Sequence, residues 1–231
     1  MQFAVNYSKP LIKLLQAGKA QVDRIKLPAW PHLVDSALEV APCYIHFPFN
    51  VGNGFDDAFD SESKAKVDWD FIESLMVRTD TPIINVHLSP WQEFNPEVVN
   101  DPWDEDTYAR VFEKTVRDLE GVVRRWGKGI VIAENPFPDP KSVSVNSNPD
   151  FVREVIEAAD VGFLLDVSHA RLSARKLGMG ECEYLMKLPL ERTKEIHITG
   201  IKRLEGEWME KLLENRPKEF DITEYLGREI D

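Results

Sequence analysis

Short apolar runs alternate with longer amphipathic stretches along this chain. Apolar runs bounded by turns read as strands, and apolar positions recurring every three or four residues read as helices that bury one face. The pattern predicts strands at 2–7, 24–27, 43–47, 82–88, 129–133, 161–165 and 195–198. Helices are expected at about 10–17 and 33–40. Another, after the third strand, carries Trp69, Phe71, Ile72, Leu75 and Met76 on one face. Further helices are expected at 106–126, from Asn148 onward with Pro149 in the first turn, around Leu185, and at about 207–213. A short polar run at 220–222 is the one candidate for an eighth strand. Strand–helix alternation of this kind argues for parallel strands joined by helical crossovers. The expectation is an α/β fold, a (β/α) TIM-type barrel, seven-stranded or irregularly closed, in a single domain over 1–231. Such barrels usually need about 250 residues and occur from about 200 upward, so the length fits.

Two predicted loops are long, 51–66 after the third strand and 89–105 after the fourth. Barrel enzymes place their substrate loops at that end of the strands. Trp91, Phe94 and Trp103 in the second loop read as a small cluster packed under it, with a substrate lid as the other reading.

Charge narrows the partners. The net charge is -12 and the pI about 5.0, which disfavours nucleic acid and anionic membranes, because both bind through Lys and Arg. Two cysteines, Cys43 and Cys182, do not make a disulfide framework. The first ten residues lack a signal-peptide pattern, and no apolar run reaches the roughly 18 residues of a membrane span. The chain reads as cytoplasmic and soluble; association into an oligomer stays open.

Candidate chemistry lies where the predicted strands end. His46 closes C-Y-I-H, His87 closes I-I-N-V-H, Glu134 follows G-I-V-I-A, Asp166 follows G-F-L-L, and His197 follows E-I. In a closed barrel the C-terminal strand ends converge on one mouth, so five such residues would become neighbours. Neutral imidazoles and carboxylates suit Zn, Mn or Fe, and one or two divalent ions would offset buried charge on Glu134 and Asp166. Taken singly, each has a plain structural reading: a hydrogen-bonded histidine, a helix cap, an arginine partner. Glu134 and His169 are the candidate catalytic residues, with His169, in D-V-S-H, a further ligand, a proton shuttle or a supporting partner. Asn85, two residues before His87 and on the same strand face, is a candidate support. Asn135 is a candidate to point its amide at substrate, and His32 reads as structural. No G-x-S-x-G elbow, phosphate loop or G-x-G-x-x-G after a strand is present.

The ordered set His46, His87, Glu134, Asp166-x-x-His169, His197 resembles the xylose-isomerase-like barrel superfamily, which includes endonuclease IV and sugar isomerases and epimerases. Within it, the chain is most similar to the multinuclear non-haem iron-dependent oxidative enzymes, which modify peptides. That likeness rests on G-F-L-L-D-V-S-H-A-R-L-S-A-R-K-L-G at 162–178 and Y-L-M-K-L-P-L-E-R-T-K-E-I-H-I-T-G at 184–200, with echoes at 44–54, 86–90 and 134–136. The resemblance implies that His46, His87 and Glu134 hold one ion, and that Glu134, Asp166 and His197 hold a second. Those relatives add an Asp-x-His pair and a final Glu, and no histidine follows His197 here. One or two ions are therefore expected rather than three. The first functional reading is a metal-dependent enzyme acting on a small polar substrate, as a sugar or sugar-phosphate isomerase or epimerase does. The alternatives are iron-dependent oxidation of a peptide, endonuclease IV-like phosphodiester hydrolysis, and a non-catalytic barrel that binds a ligand.

Overall fold

Each predicted strand coincides with an observed one. The structure, a computed structural model, describes residues 1–199. In chain order the elements begin β1 (Ala4–Asn6), α1 (Lys9–Gln16), β2 (Arg24–Pro28), α2 (Pro31–Leu38), β3 (Cys43–His46), β4 (Phe49–Val51), β5 (Phe59–Asp60) and β6 (Ala65–Lys66). They continue with α3 (Trp69–Thr79), β7 (Ile84–Leu88), α4 (Glu105–Trp126), β8 (Val131–Glu134) and α5 (Pro149–Ala159). The last are β9 (Gly162–Asp166), α6 (Val167–Leu177), α7 (Glu181–Lys187) and β10 (Thr193–His197). The expected helix at 207–213 and eighth strand at 220–222 lie outside the described residues. The alternation is that of a (β/α) barrel chain, but hydrogen bonds join the described strands into two sheets and not one closed ring.

The described residues divide into two compact units, 1–45 with 75–81, and 46–74 with 82–199. The first is built on the sheet β1-β2-β3, with β1 and β2 parallel. Ser8 caps α1 by accepting from the Leu11 amide, and Pro10 sits in the first turn, where a missing N–H does no harm. Arg24 ties the unit together, donating to the Cys43 carbonyl at 3.1 Å and to the Asp80 carbonyl at 2.8 Å. Cys43 is buried, and burial, only partly offset by Arg24, pushes its thiol up to about 11. That removes it from nucleophilic chemistry.

The second unit carries the sheet β10-β9-β8-β7-β4-β5-β6. Its strands from β10 to β4 pair in parallel, and β5 and β6 add antiparallel pairs. β8 is buried throughout and β9 nearly so, as expected for strands covered on both faces. The hairpin β5–β6 occupies much of what the sequence reads as the loop 51–66. Apolar spacing misses it because both strands are two residues long. Helix α6 is also absent from the sequence expectation, since S-H-A-R-L-S-A-R-K offers few apolar positions. Its ends are nevertheless well marked: Asp166 caps it by accepting from the His169 amide, and Gly178 closes it in the left-handed region. On α3, Trp69, Ile72, Leu75 and Met76 are buried, but Phe71 is exposed and lies off the expected face.

Two asparagines do backbone work between strands. Asn85 accepts from the Phe47 amide at 2.7 Å and donates to the Phe47 carbonyl at 3.0 Å. Asn135 accepts from the Asp166 amide at 2.8 Å and donates to its carbonyl at 2.9 Å. Asn135, fully buried, thus spends its amide on β9 and not on a substrate. The aromatic loop divides: Trp91 and Phe94 pack with Phe59, and Phe94 also with Phe55, whereas Trp103 is exposed.

Candidate metal centre

Strand register assembles the site. In the parallel pair β7–β8, His87 is the partner of Glu134, and in β9–β10, Asp166 is the partner of His197. Residues far apart in sequence thereby stand at the ends of adjacent strands of one sheet. His46 joins them from the end of β3, and His169 from the first turn of α6. All six belong to the second unit.

Glu134 is at the centre. Its Oε2 lies 3.2 Å from His87 Nε2 and 3.5 Å from His46 Nε2. Its Oε1 lies 3.3 Å from His169 Nδ1 and 3.9 Å from His197 Nδ1. Asp166 Oδ2 is 3.8 Å from His169 Nε2 and 3.9 Å from His197 Nδ1, while Oδ1 caps α6. The helix-cap reading of Asp166 therefore holds without removing it from the site, because the two oxygens do different work. Two groups have ligand atoms close enough together to share an ion: His46, His87 and Glu134, and Glu134, Asp166 and His169. His197 stands beside the second group and not within it, while His169 takes the place that the resemblance assigns to His197.

The electrostatics favour a cation. Burial alone would raise the Glu134 carboxyl, but the His87, His46 and His169 rings, counted as cations, outweigh it and hold the group well below the usual carboxylate range. Hydrogen bonds behind the rings fix their orientation. His87 Nδ1–H donates to the Phe49 carbonyl at 3.0 Å, so the neutral ring turns Nε2, as an acceptor, toward Glu134. His169 Nδ1–H donates to the Asn135 carbonyl at 3.1 Å, leaving Nε2 as its acceptor. A buried carboxylate facing the Nε2 lone pair of His87 is unfavourable unless a proton or a metal ion lies between them. Consistent with this, Glu134 Oε2 is buried with no hydrogen-bond partner among the described residues. The donor set of imidazoles and carboxylates fits Zn, Mn or Fe.

Two contributors escape sequence reasoning. Asp118, fully buried on α4, accepts from Gly52, Asn53 and Gly54 at 2.8–2.9 Å through Oδ2 and from Asp56 at 2.8 Å through Oδ1. It holds the loop that follows β4, the strand whose Phe49 carbonyl orients His87. Burial outweighs those four donors and raises its carboxyl. Gly121, one turn along α4, has no room for a Cβ, which would collide with the Asp56 carbonyl oxygen. In sequence, T-V-R-D-L-E-G gives no sign of a cage. The second is Glu195, 2.7 Å from His197 Nε2. Its signal was readable, since residues two apart on a strand share a face.

Residues 62–214, well over half of the chain, match the family model described as RiPP precursor modification enzyme MbnB/TglH/ChrH. A UPF0276 protein of Paraburkholderia phytofirmans is 28% identical over 131 residues, covering 54% of this chain and 41% of its own length. A UPF0276 protein of Vibrio parahaemolyticus is 29% identical over 141 residues, covering 58% of this chain and 47% of its own length. These matches span less than half the length of either relative. Endonuclease IV from Thermus thermophilus superposes with a TM-score of 0.41 at 15% identity, over 84% of this chain and 74% of that one, too weakly to carry an argument. No helix of the described residues is long and apolar enough to cross a membrane. The family match rests on sequence, and on it the chain belongs to the MbnB/TglH/ChrH family of RiPP precursor modification enzymes.

Proposed function

We propose that this chain is a metal-dependent enzyme that modifies a ribosomally made peptide, with Glu134 bridging two divalent ions. One observation carries the reading: the two oxygens of a single buried carboxylate face separate groups of histidines. His46, His87 and Glu134 would hold the first ion, and Glu134, Asp166 and His169 the second, with His197 adjoining it. The family description favours a peptide over a sugar as substrate, so oxidative modification with iron moves ahead of the isomerase reading. Phosphodiester hydrolysis has no support beyond fold likeness, and fold alone does not specify chemistry.

Bound ions of this kind polarise a coordinated group or, when the metal is iron, supply redox chemistry. The chain's own residues do the rest. The Phe49 and Asn135 carbonyls keep the His87 and His169 rings aimed, and the buried strand ends keep Glu134 away from bulk water.

Two measurements test this together: elemental mass spectrometry of protein purified without an affinity tag, and the mass of a precursor peptide co-expressed with it. Two equivalents of iron and a peptide of altered mass are expected. Zinc or manganese with an unaltered peptide would overturn the oxidative reading, and no metal uptake would overturn the whole proposal.

A further inference from the structure

Resting on that two-ion reading, we infer that Glu195 is a positioning residue that decides which nitrogen His197 offers to the second ion site. Along β10 the exposed residues are Lys194 and Ile196, whereas Glu195 and His197 turn to the other face. A glutamate facing inward beside a histidine is costly to desolvate unless it is paired. Its Oε1 lies 2.7 Å from His197 Nε2, with the two side chains only 16% and 8% exposed. A carboxylate can only accept here, so Nε2 carries the proton. Nδ1 then remains as the acceptor, 3.9 Å from both Glu134 Oε1 and Asp166 Oδ2.

The partners behind the rings differ in kind. His87 and His169 donate to backbone carbonyls, which are neutral, while His197 donates to a carboxylate. A carboxylate behind a histidine fixes its tautomer and makes it a stronger donor, and losing such a partner typically weakens metal binding by about 10- to 100-fold. The effect falls on the Glu134–Asp166 side, because His46 and His87 face the other oxygen of Glu134.

The test uses the full chain, metal-free and with 15N-labelled histidine, in wild-type, Glu195→Ala and Glu195→Gln forms. Long-range 1H–15N spectra, with His197 assigned through His197→Asn, should show it protonated at Nε2 in the wild type and in Glu195→Gln, which keeps an acceptor oxygen. Glu195→Ala should lose that preference. Titration with zinc against a competing chelator should show the second equivalent about 10- to 100-fold weaker in Glu195→Ala and the first unchanged. Glu195→Gln should fall between, and it supplies the reading if the alanine variant does not fold. Protonation of wild-type His197 at Nδ1 would overturn the inference, as would unchanged zinc affinity or equal weakening of both equivalents. If the wild type takes up no zinc, the two-ion reading fails, while the tautomer spectrum still decides for or against the role of Glu195.

Discussion

Two carboxylates of the second unit are almost equally buried and differ in everything else. Asp118 is surrounded by donors, four backbone amides from the loop 52–56, so its lone pairs are used within the chain. Glu134 instead meets acceptor nitrogens of neutral rings: Nε2 of His87, whose Nδ1–H goes to the Phe49 carbonyl, and Nδ1 of His197, whose Nε2–H goes to Glu195. One is a finished structural joint. The other is a cluster of acceptors that a cation would complete. Burial by itself thus says little about role; what decides is whether the neighbours offer hydrogens or lone pairs.

The largest effect should come from Glu134→Ala. Both ion positions share this residue, so the variant should lose both equivalents of metal and all activity while still folding. Elemental analysis with circular dichroism checks this, and retention of one tightly bound equivalent would show that Glu134 does not bridge. Asp118→Ala should do the reverse. It leaves four backbone N–H groups without their acceptor, those of Gly52 and Asn53 in buried residues, and each unsatisfied buried group is worth about 1–3 kcal/mol. Loss of about 3 kcal/mol or more in urea unfolding is expected even after the loop relaxes and admits water. Asp118→Asn, which keeps one acceptor oxygen, should lose less. A variant as stable as wild type would mean that the cage is incidental.

The same contrast explains what the sequence disclosed. Strand ends at His46, His87, Glu134, Asp166 and His197 were legible because buried parallel strands are short apolar runs and the ionisable residue after each stands out. His169 was legible by its spacing from Asp166, but its place within a compact group was not, because that depends on α6 starting directly from β9. Asp118 was not legible at all. Its partners are backbone amides, which have no sequence signature, and a single aspartate on a charged helix resembles any solvated one. The hairpin β5–β6 was missed for a related reason: two-residue strands leave no periodicity to read.

Metal addition should separate the two carboxylates at intermediate size. An ion that binds only the folded chain stabilises it by about 2.7 kcal/mol at 100 times its Kd. Wild type and Asp118→Ala should gain equally if the cage acts on stability alone, as read from melting temperatures with and without zinc. A smaller gain in Asp118→Ala would show that the loop after β4 also tunes His87 through Phe49, and would join the two regions into one system.

The smallest effect is the most diagnostic of what Glu134 does. Glu134→Gln keeps the shape but exchanges an acceptor oxygen for an NH2 group, which can donate to the ring nitrogens that face it. In the neutral rings of His87 and His197 the nitrogen that faces Glu134 is an acceptor, because the other nitrogen donates to the Phe49 carbonyl or to Glu195. The metal-free variant should then be more stable than metal-free wild type by about 1 kcal/mol, since a buried charge gives way to a hydrogen-bonded amide. With metal present the order should invert, because the amide is a poor ligand and the wild type gains its ions. Differential scanning calorimetry on both forms, with and without zinc, gives the four melting temperatures needed. Destabilisation of the metal-free protein by Glu134→Gln would mean that the carboxylate is already satisfied by protonated histidines, so the empty site would be at rest and not poised for a cation.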